Sequence, residues 1–146
     1  MSVKSLASLN TWVKAKEFAL RVYREVVPLL PQEEKWSMAQ QIRRSANSIP
    51  ANIAEGYGRF HYQNNIRFCY IPRGFLEETL NHLVMCKELA YIPNKTFTSL
   101  AEDGEKLTQL INGYIGYLKR SKEGVREENA DYEIEADSQL PTSDSH

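Results

Sequence analysis

The chain has 146 residues, of which 42% are hydrophobic and 25% are charged, and it contains only two cysteines. This composition is typical of one globular domain that buries its own core, and it excludes a disulfide-rich secreted scaffold. No apolar run has the length of a signal peptide or a membrane span, so we predict a cytoplasmic protein with no membrane partner.

The formal net charge of −1 hides an uneven distribution of charge along the chain. Residues 1–122 contain 17 Lys and Arg against 11 Asp and Glu, a formal charge of +6. Residues 123–146 contain one Arg against eight acids, a formal charge of −7, and few apolar side chains. Such a segment buries too little surface to offset the entropy of ordering. We therefore predict a basic folded body over 1–122 and a disordered acidic tail over 123–146.

Apolar residues recur at helical spacing in four successive segments, which predicts four helices of matched length. Short connections near residues 31, 58–62 and 93–94 favour an antiparallel arrangement, and no run alternates as a strand does. The fold class is therefore predicted to be all-α, an antiparallel up-down-up-down four-helix bundle. The four stripes are Trp12, Ala15, Ala19, Val22, Val26 and Leu29; Trp36, Ala39, Ile42, Ala46, Ile49 and Ile53; Ile66, Cys69, Leu76, Leu80, Leu83 and Ala90; and Phe97, Leu100, Leu107, Ile111, Tyr114 and Leu118.

Particular residues mark where these helices should begin, end or approach one another. Asn10 or Thr11 can cap the first helix. Gly56 is placed as the C-terminal stop of the second helix, since glycine accepts the left-handed conformation. Gly104 interrupts the fourth apolar stripe, so we expect a neighbouring helix to come close there.

The stretch SIPANIAEG, residues 48–56, has a helical period but carries a proline. Pro50 removes a backbone donor and should bend the helix, while Ile49 still faces the core. Asn52 and Glu55 share one polar stripe, which either faces solvent or makes hydrogen bonds across a helix or subunit interface. We predict the second, and assign to an assembly motif Ile49, Pro50, Asn52, Glu55, Gly56 and Gly74.

No catalytic or metal-binding set emerges from the sequence. A di-iron bundle needs Glu-x-x-His pairs on two helices, and the sequence contains none. His82 and Cys86 are four residues apart and offer half of a zinc site, but no second pair completes it. No histidine is tied to a nucleophile. We predict no cofactor, no metal and no enzymatic activity; a metal- or thiol-using enzyme acting through His82 and Cys86 is the weakest alternative.

Cations and aromatic rings alternate along the basic body, a pattern that suits nucleic acid. Cations contact phosphate, and exposed rings stack on unpaired bases. The same residues can equally form a solvated face, with the rings in the core or at a subunit contact. The candidate nucleic-acid-binding residues are Arg43, Arg44, Arg59, Arg67, Arg73, Lys119, Arg120 and Lys122.

Three runs carry a resemblance to a known family: IRRSANSIPANIAEGYGR over 42–59, IRFCYIPRGFLEET over 66–79 and MCKELAYI over 85–92. They resemble the four-helix-bundle family of 23S rRNA intervening-sequence proteins, and the likeness covers the helical body. The bundle is also similar to the accessory variability determinant of diversity-generating retroelements. The resemblance implies a small bacterial homopentamer without enzymatic activity. The retroelement relatives imply binding of nucleic acid and of a reverse transcriptase through a basic surface.

The chain departs from the family's pattern at two positions, where Pro72 stands in place of a small residue and Phe75 in place of a serine. Pro72 should leave the carbonyl of Phe68 without its helical donor, so a kink is expected in the third helix. Phe75 adds bulk beside Gly74, which bears on how this face packs against a neighbour.

Two hypotheses for function follow. The first is a non-catalytic oligomer that binds RNA, with DNA also open, through its basic surface and gains by avidity. The second is a protein-interaction scaffold, or an accessory subunit docking a partner such as a reverse transcriptase, whose basic face steers an acidic protein. The acidic tail either only solubilises the chain or competes with an anionic partner.

Overall fold

The computed structural model describes residues 9–63 and 65–129. These residues form four long helices: α1 (Asn10–Glu25), α2 (Met38–Gln63), α3 (Ile71–Glu88) and α4 (Asn94–Asn129). Three short 3-10 helices lie in the connections, at Val27–Leu29, Gln32–Glu34 and Arg67–Cys69. No strand occurs in this described part of the chain, so the all-α prediction is confirmed.

Each long helix packs against two others, so that the four helices close into a ring around one core. The neighbours are α1 and α2, α2 and α3, α3 and α4, and α4 and α1. Because short connections join successive helices, neighbours run antiparallel, as predicted. One end of the bundle holds the α1–α2 and α3–α4 connections, and the other end holds the α2–α3 connection and the later turns of α4.

The core is built from the predicted apolar stripes, and fully buried members include Ile42, Ile49 and Leu76. It also contains two buried hydroxyls at the α2–α3 contact. The hydroxyl of Thr79 donates to Ser45 Oγ at 2.9 Å, and Ser45 Oγ donates to the carbonyl of Ile42 at 3.3 Å. Thr79 Oγ1 also lies 2.8 Å from the carbonyl oxygen of Phe75, so each hydroxyl has an acceptor within its own helix. The pair is thus a buried polar contact that marks the register of α2 and α3.

Two expected helix starts differ from the structure. Trp36 was placed in the second stripe, yet it precedes the first residue of α2, Met38, and its side chain is 74% exposed. The N-cap of α1 is Leu9, without a side-chain cap hydrogen bond, rather than Asn10 or Thr11. Periodicity finds the buried face of a helix well, but a residue that happens to continue the spacing beyond a helix end looks the same.

The predicted position of the turn between the second and third helices was wrong. The helix α2 continues through Gly56 to Gln63, and no described glycine has a positive φ. Pro72 does not kink α3, because it stands in the first turn, where the missing N–H has no intrahelical acceptor to lose. Pro50 lies inside α2, and the helix continues past it.

The predicted division into a body over 1–122 and a tail over 123–146 stays a prediction, but α4 crosses its boundary. The helix α4 runs to Asn129, seven residues beyond the expected boundary at 122. The rest of the predicted tail, residues 130–146, lies outside the described residues. Among the described residues, no helix combines the length and the apolar character that crossing a membrane requires.

Ala90 ends α3 in a conformation that favours glycine, with φ at 61°. The N–H of Tyr91 donates to the carbonyl of Cys86 at 2.8 Å, and the N–H of Ala90 donates to that of Lys87 at 2.9 Å. These are the two hydrogen bonds of a Schellman motif, whose left-handed position is usually glycine. Alanine is strained there by its Cβ.

We expect Ala90→Gly to stabilise the protein by about 0.5–1 kcal/mol, because relief of the left-handed strain exceeds the extra entropy of the unfolded glycine. Thermal and urea unfolding at one protein concentration measure the change. Ala51→Gly is the matched control, since Ala51 is exposed inside α2 and should lose about 1 kcal/mol. Destabilisation by both variants would contradict the assignment.

Candidate nucleic-acid interface

Eight residues were predicted to bind nucleic acid. Five of them have described side chains that lie at one end of the bundle, the end that holds the α2–α3 connection. One is in the last turns of α2, one in the 3-10 helix of the connection, one in the first turn of α3 and two on α4. We call this surface the basic end, and it comprises Arg59, Arg67, Arg73, Lys119 and Arg120.

A hydrogen bond between α3 and α4 shows how residues far apart in sequence meet at the basic end. Arg73 Nη1 donates to Asn112 Oδ1 at 2.6 Å. Lys119 follows Asn112 by seven residues, so the two lie on the same face of α4 about 10 Å apart along the axis. The cations of α3 and α4 therefore line one side of the bundle.

Charge is polarised along the bundle axis. Residues 55–73 and 112–121 contain the five cations of the basic end and a single acid, Glu55. The last turns of α4, residues 122–129, add two cations and three acids, so that cations still outnumber acids at this end. At the opposite end, residues 24–38 and 87–103 contain four cations and six acids. A net positive charge at one end attracts polyanions to that end, and a net negative charge at the other end repels them.

Aromatic rings hold two of these guanidinium groups against the surface. The Arg59 guanidinium carbon lies 4.3 Å from the centroid of the Phe68 ring, and that of Arg73 lies 5.7 Å from the centroid of the Tyr70 ring. Arg59 also contacts Glu55 at 3.2 Å within α2. Rings fix the plane of a guanidinium without neutralising it, so less side-chain entropy is lost when the group binds a ligand.

The remaining cations of the basic end are open to solvent to different degrees. Arg67 and Arg120 are exposed, whereas Lys119 is half-buried. Asn65 Oδ1 accepts the backbone N–H of Arg67 at 3.0 Å, which anchors the start of the 3-10 helix. Among the side chains that the structure describes, none of these three cations pairs with a carboxylate. The side chain of the eighth predicted residue, Lys122, lies outside the described part.

Two predicted binding residues, Arg43 and Arg44, do not join the basic end. They precede Arg59 by about four turns of α2, which is about 24 Å along the helix axis. Arg44 lies 3.5 Å from a carboxylate oxygen of Glu78. The carbonyl of Arg43 accepts the hydroxyl of Tyr23 at 3.3 Å. The sequence placed all eight cations in one set, and the structure divides them.

The polar stripe of the predicted assembly motif makes its hydrogen bonds inside α2. Asn52 Nδ2 donates to the carbonyl of Ser48 at 2.8 Å, and Glu55 pairs with Arg59. These hydrogen bonds of the stripe do not reach another helix of the described chain, and the predicted contact across a helix or subunit interface stays a prediction. Gly74 is equally without a close neighbour, because no atom lies within 4 Å of the position that its Cβ would take.

Gly56 is instead the point at which the α2–α3 connection rests on α2. A Cβ at Gly56 would lie 2.9 Å from the carbonyl oxygen of Phe68 and 3.2 Å from Cα of Cys69. Only a residue without a side chain lets the backbone approach this closely. The sequence contained a signal for this role, since Gly56 continues the buried spacing of Ile49 and Ile53 rather than following its end.

Gly104, by contrast, has the role that the sequence predicted. A Cβ there would lie 2.7 Å from a terminal carbon of Leu80 on α3. The gap in the α4 stripe therefore receives a side chain from the neighbouring helix, which is how a small residue allows two helices to pack closely.

The weakest alternative names Cys86 and His82, and the second thiol of the chain belongs to Cys69. Burial raises the pKa of Cys69 to about 12 and that of Cys86 to about 11, so both thiols stay protonated at neutral pH. His82 Nε2 lies 3.4 Å from Glu78 Oε2. Within the described residues, no cluster of three or more potential ligands is placed to hold a metal ion.

The fold and the polarised surface define a class, the single-domain four-helix bundle with one basic end. The family of 23S rRNA-intervening sequence proteins matches residues 7–113, which is most of the chain, and the protein belongs to this family. A comparison with curated proteins found no match. The matched range includes the basic residues of α2, the connection and α3, but it ends before Lys119 and Arg120 on α4.

We expect Gly56→Ala to destabilise the protein by about 1–3 kcal/mol, because the added Cβ meets backbone atoms that cannot rotate away. Gly58→Ala, two residues along the same helix, has open space around its Cβ and should stabilise by about 0.5–1 kcal/mol. Urea unfolding followed by far-UV circular dichroism measures both changes. Equal effects of the two substitutions would show that the connection does not rest on Gly56.

Proposed function

We propose that the protein binds nucleic acid through the basic end and catalyses no reaction itself. One observation carries the proposal: cations from α2, the connection, α3 and α4 gather at one end of the bundle, where they outnumber the acids. Neutralising several phosphates with clustered cations releases counterions, which favours binding of polyanions over other partners. The acidic excess at the opposite end disfavours binding there.

The family supports RNA as the nucleic acid. Its description refers to intervening sequences of 23S rRNA, and we extend that association to this chain as part of the proposal. The five cations of one bundle supply a modest electrostatic affinity by themselves. We propose that an oligomer, a homopentamer by resemblance to the family, raises this affinity because several basic ends engage one strand.

Replacing Arg67 or Arg120 by Gln should weaken RNA binding and make it less dependent on salt. Each lost phosphate contact lowers the slope of log affinity against log salt concentration by about 0.7–0.9. Fluorescence anisotropy of a labelled RNA between about 50 and 200 mM salt measures that slope. Both side chains are exposed, so the variants should unfold at the same temperature as the wild type.

The matched control is the double variant Lys35→Gln and Lys95→Gln, which removes two exposed cations from the opposite end. Its affinity and salt slope should remain close to those of the wild type. Equal losses from both ends would show that the binding is not localised to the basic end. Salt-independent or absent binding by every form would favour the alternative, a scaffold that docks a partner protein, which a pull-down after nuclease treatment then tests.

Removing residues 130–146 should raise the affinity for RNA at low salt. This segment contains five acids and no Lys or Arg, so its removal makes the protein more positive. The truncation point follows the last residue of α4, Asn129. The control is the full-length chain with its five acids changed to Asn or Gln, which should bind as the truncated protein does. Unchanged affinity in both would mean that the segment does not compete with RNA.

A further inference from the structure

We propose that the basic end recognises unpaired nucleotides and stacks a base on the ring of Tyr117. This inference rests on the proposed function and specifies its ligand, a single-stranded segment rather than a duplex. Its components are an open ring, cations beside that ring and guanidinium planes held in fixed orientations.

Among the Phe and Tyr side chains that the structure describes at the basic end, the ring of Tyr117 is the most open. Tyr117 is 59% exposed, whereas Phe68 and Tyr70 are partly covered by the arginines that lie over them. Arg120 follows Tyr117 by three residues, so their side chains are neighbours on the surface of α4. A base stacked on this ring therefore has a cation beside it for its phosphate, the combination used by single-strand binding sites.

The path of α4 explains why this ring stays open. Asn10, the first residue of α1, and Leu110 of α4 line the same cleft between the two helices. Arg21 of α1 pairs with Asp103 of α4, and the two helices run antiparallel, so the start of α1 is level with the turn of α4 that precedes Tyr117. Tyr117 therefore lies about one helical turn, or about 5 Å, beyond the start of α1. Among the described residues, α1 therefore starts too far along the bundle axis to cover this face of α4.

The fixed guanidinium planes add a second surface for unpaired bases. One face of the Arg59 guanidinium lies over Phe68, and the side chain is still 40% exposed. Arginine planes stack on splayed bases as aromatic rings do, and they contact phosphate at their edges. Arg59 and Tyr117 thus offer stacking surfaces on two helices of the same end.

A duplex does not fit these surfaces as well. The bases of A-form RNA are stacked on one another inside the helix, so a protein ring has no free base face to contact. Proteins that read duplex RNA by shape contact about 16 base pairs across successive grooves. One end of a four-helix bundle, with neighbouring axes about 8–10 Å apart, spans only a few nucleotides.

The opposite end of the bundle carries a second exposed ring, which can be compared with Tyr117. Trp36 is 74% exposed, and Lys35 Nζ lies 5.1 Å from the centroid of its ring. The same pairing of ring and cation therefore occurs there, but next to Glu33 and Glu34. If exposed rings alone determined binding, Trp36 would act as Tyr117 does; if the basic surroundings are also needed, it would not.

The experiment compares a labelled single-stranded RNA of about 12 nucleotides with the same sequence in a duplex, by anisotropy at one salt concentration. The single strand should bind about tenfold or more tightly than the duplex. Tyr117→Leu should lower single-strand affinity about fivefold or more, leaving duplex affinity and the salt slope unchanged. Tyr117→Phe, which keeps the ring, and Trp36→Leu, the control, should bind as the wild type does.

Each outcome bears on a different statement. Equal or tighter binding of the duplex overturns the inference, as does a Tyr117→Leu variant that binds like the wild type; neither result affects the salt dependence expected for Arg67 and Arg120. Loss of affinity in Tyr117→Phe would indicate recognition through the hydroxyl rather than by stacking, and would also overturn it. Absence of binding to both RNAs removes the proposed function itself. The strand comparison uses the wild-type protein, so it holds even if a variant folds poorly.

Discussion

The architecture of the basic end depends on one close approach, that of the α2–α3 connection to Gly56. Backbone atoms of Phe68 and Cys69 occupy the space that a side chain at Gly56 would take. This contact determines where the chain turns back, and therefore which residues of α3 face α2. The hydroxyl pair of Ser45 and Thr79 is consistent with the same register, since it lies eleven residues back along α2 and ten residues forward from Cys69. The close approach at Gly56 also places the ring of Phe68 beneath the guanidinium group of Arg59, which lies about one helical turn after Gly56 on α2.

The sequence predicted the helices and their buried faces because burial leaves a periodic signal in the chain. Ile42, Ile49, Leu76 and Leu107 are buried as the apolar spacing requires. The ends of helices were harder to predict, because they depend on single residues whose role changes with context. Gly56 is the residue type that commonly ends a helix, but it occupies a buried position in the apolar spacing of α2. In the structure the helix continues through it.

Proline shows the same dependence on position. Pro72 was expected inside a helix that the apolar spacing extended back to Ile66. In the structure that helix begins at Ile71, so the proline occupies a first turn, where its missing N–H and fixed φ do no harm. The apolar residues Ile66 and Cys69 are buried as predicted, but from a connection rather than from the helix. Burial alone therefore did not reveal where the regular hydrogen bonding starts.

The candidate site could be predicted only in part, because charge along a sequence is not charge in space. The sequence identified the cations, but it grouped Arg43 and Arg44 with Arg59, which lies about four helical turns away. Only the antiparallel order of the helices brings Arg59 and Arg73 to the same end of the bundle as Lys119, some fifty residues distant along the chain. The difference in charge between the two ends was likewise not visible in the sequence, because each end is built from several separate segments of the chain. Summing the charges of the whole body gives only one net value.

The two kinds of contact at the basic end have different physical consequences. Cations that meet phosphates supply affinity that depends on salt and little on sequence, whereas stacking surfaces discriminate between strands whose bases are free and strands whose bases are paired. Arg59, Arg67 and Arg73 lie within the range matched by the family, while Tyr117, Lys119 and Arg120 lie beyond it on α4. In the proposed interface, the aromatic stacking surface therefore lies on the part of α4 that extends past the family's matched range, while the guanidinium stacking surface of Arg59 lies within that range.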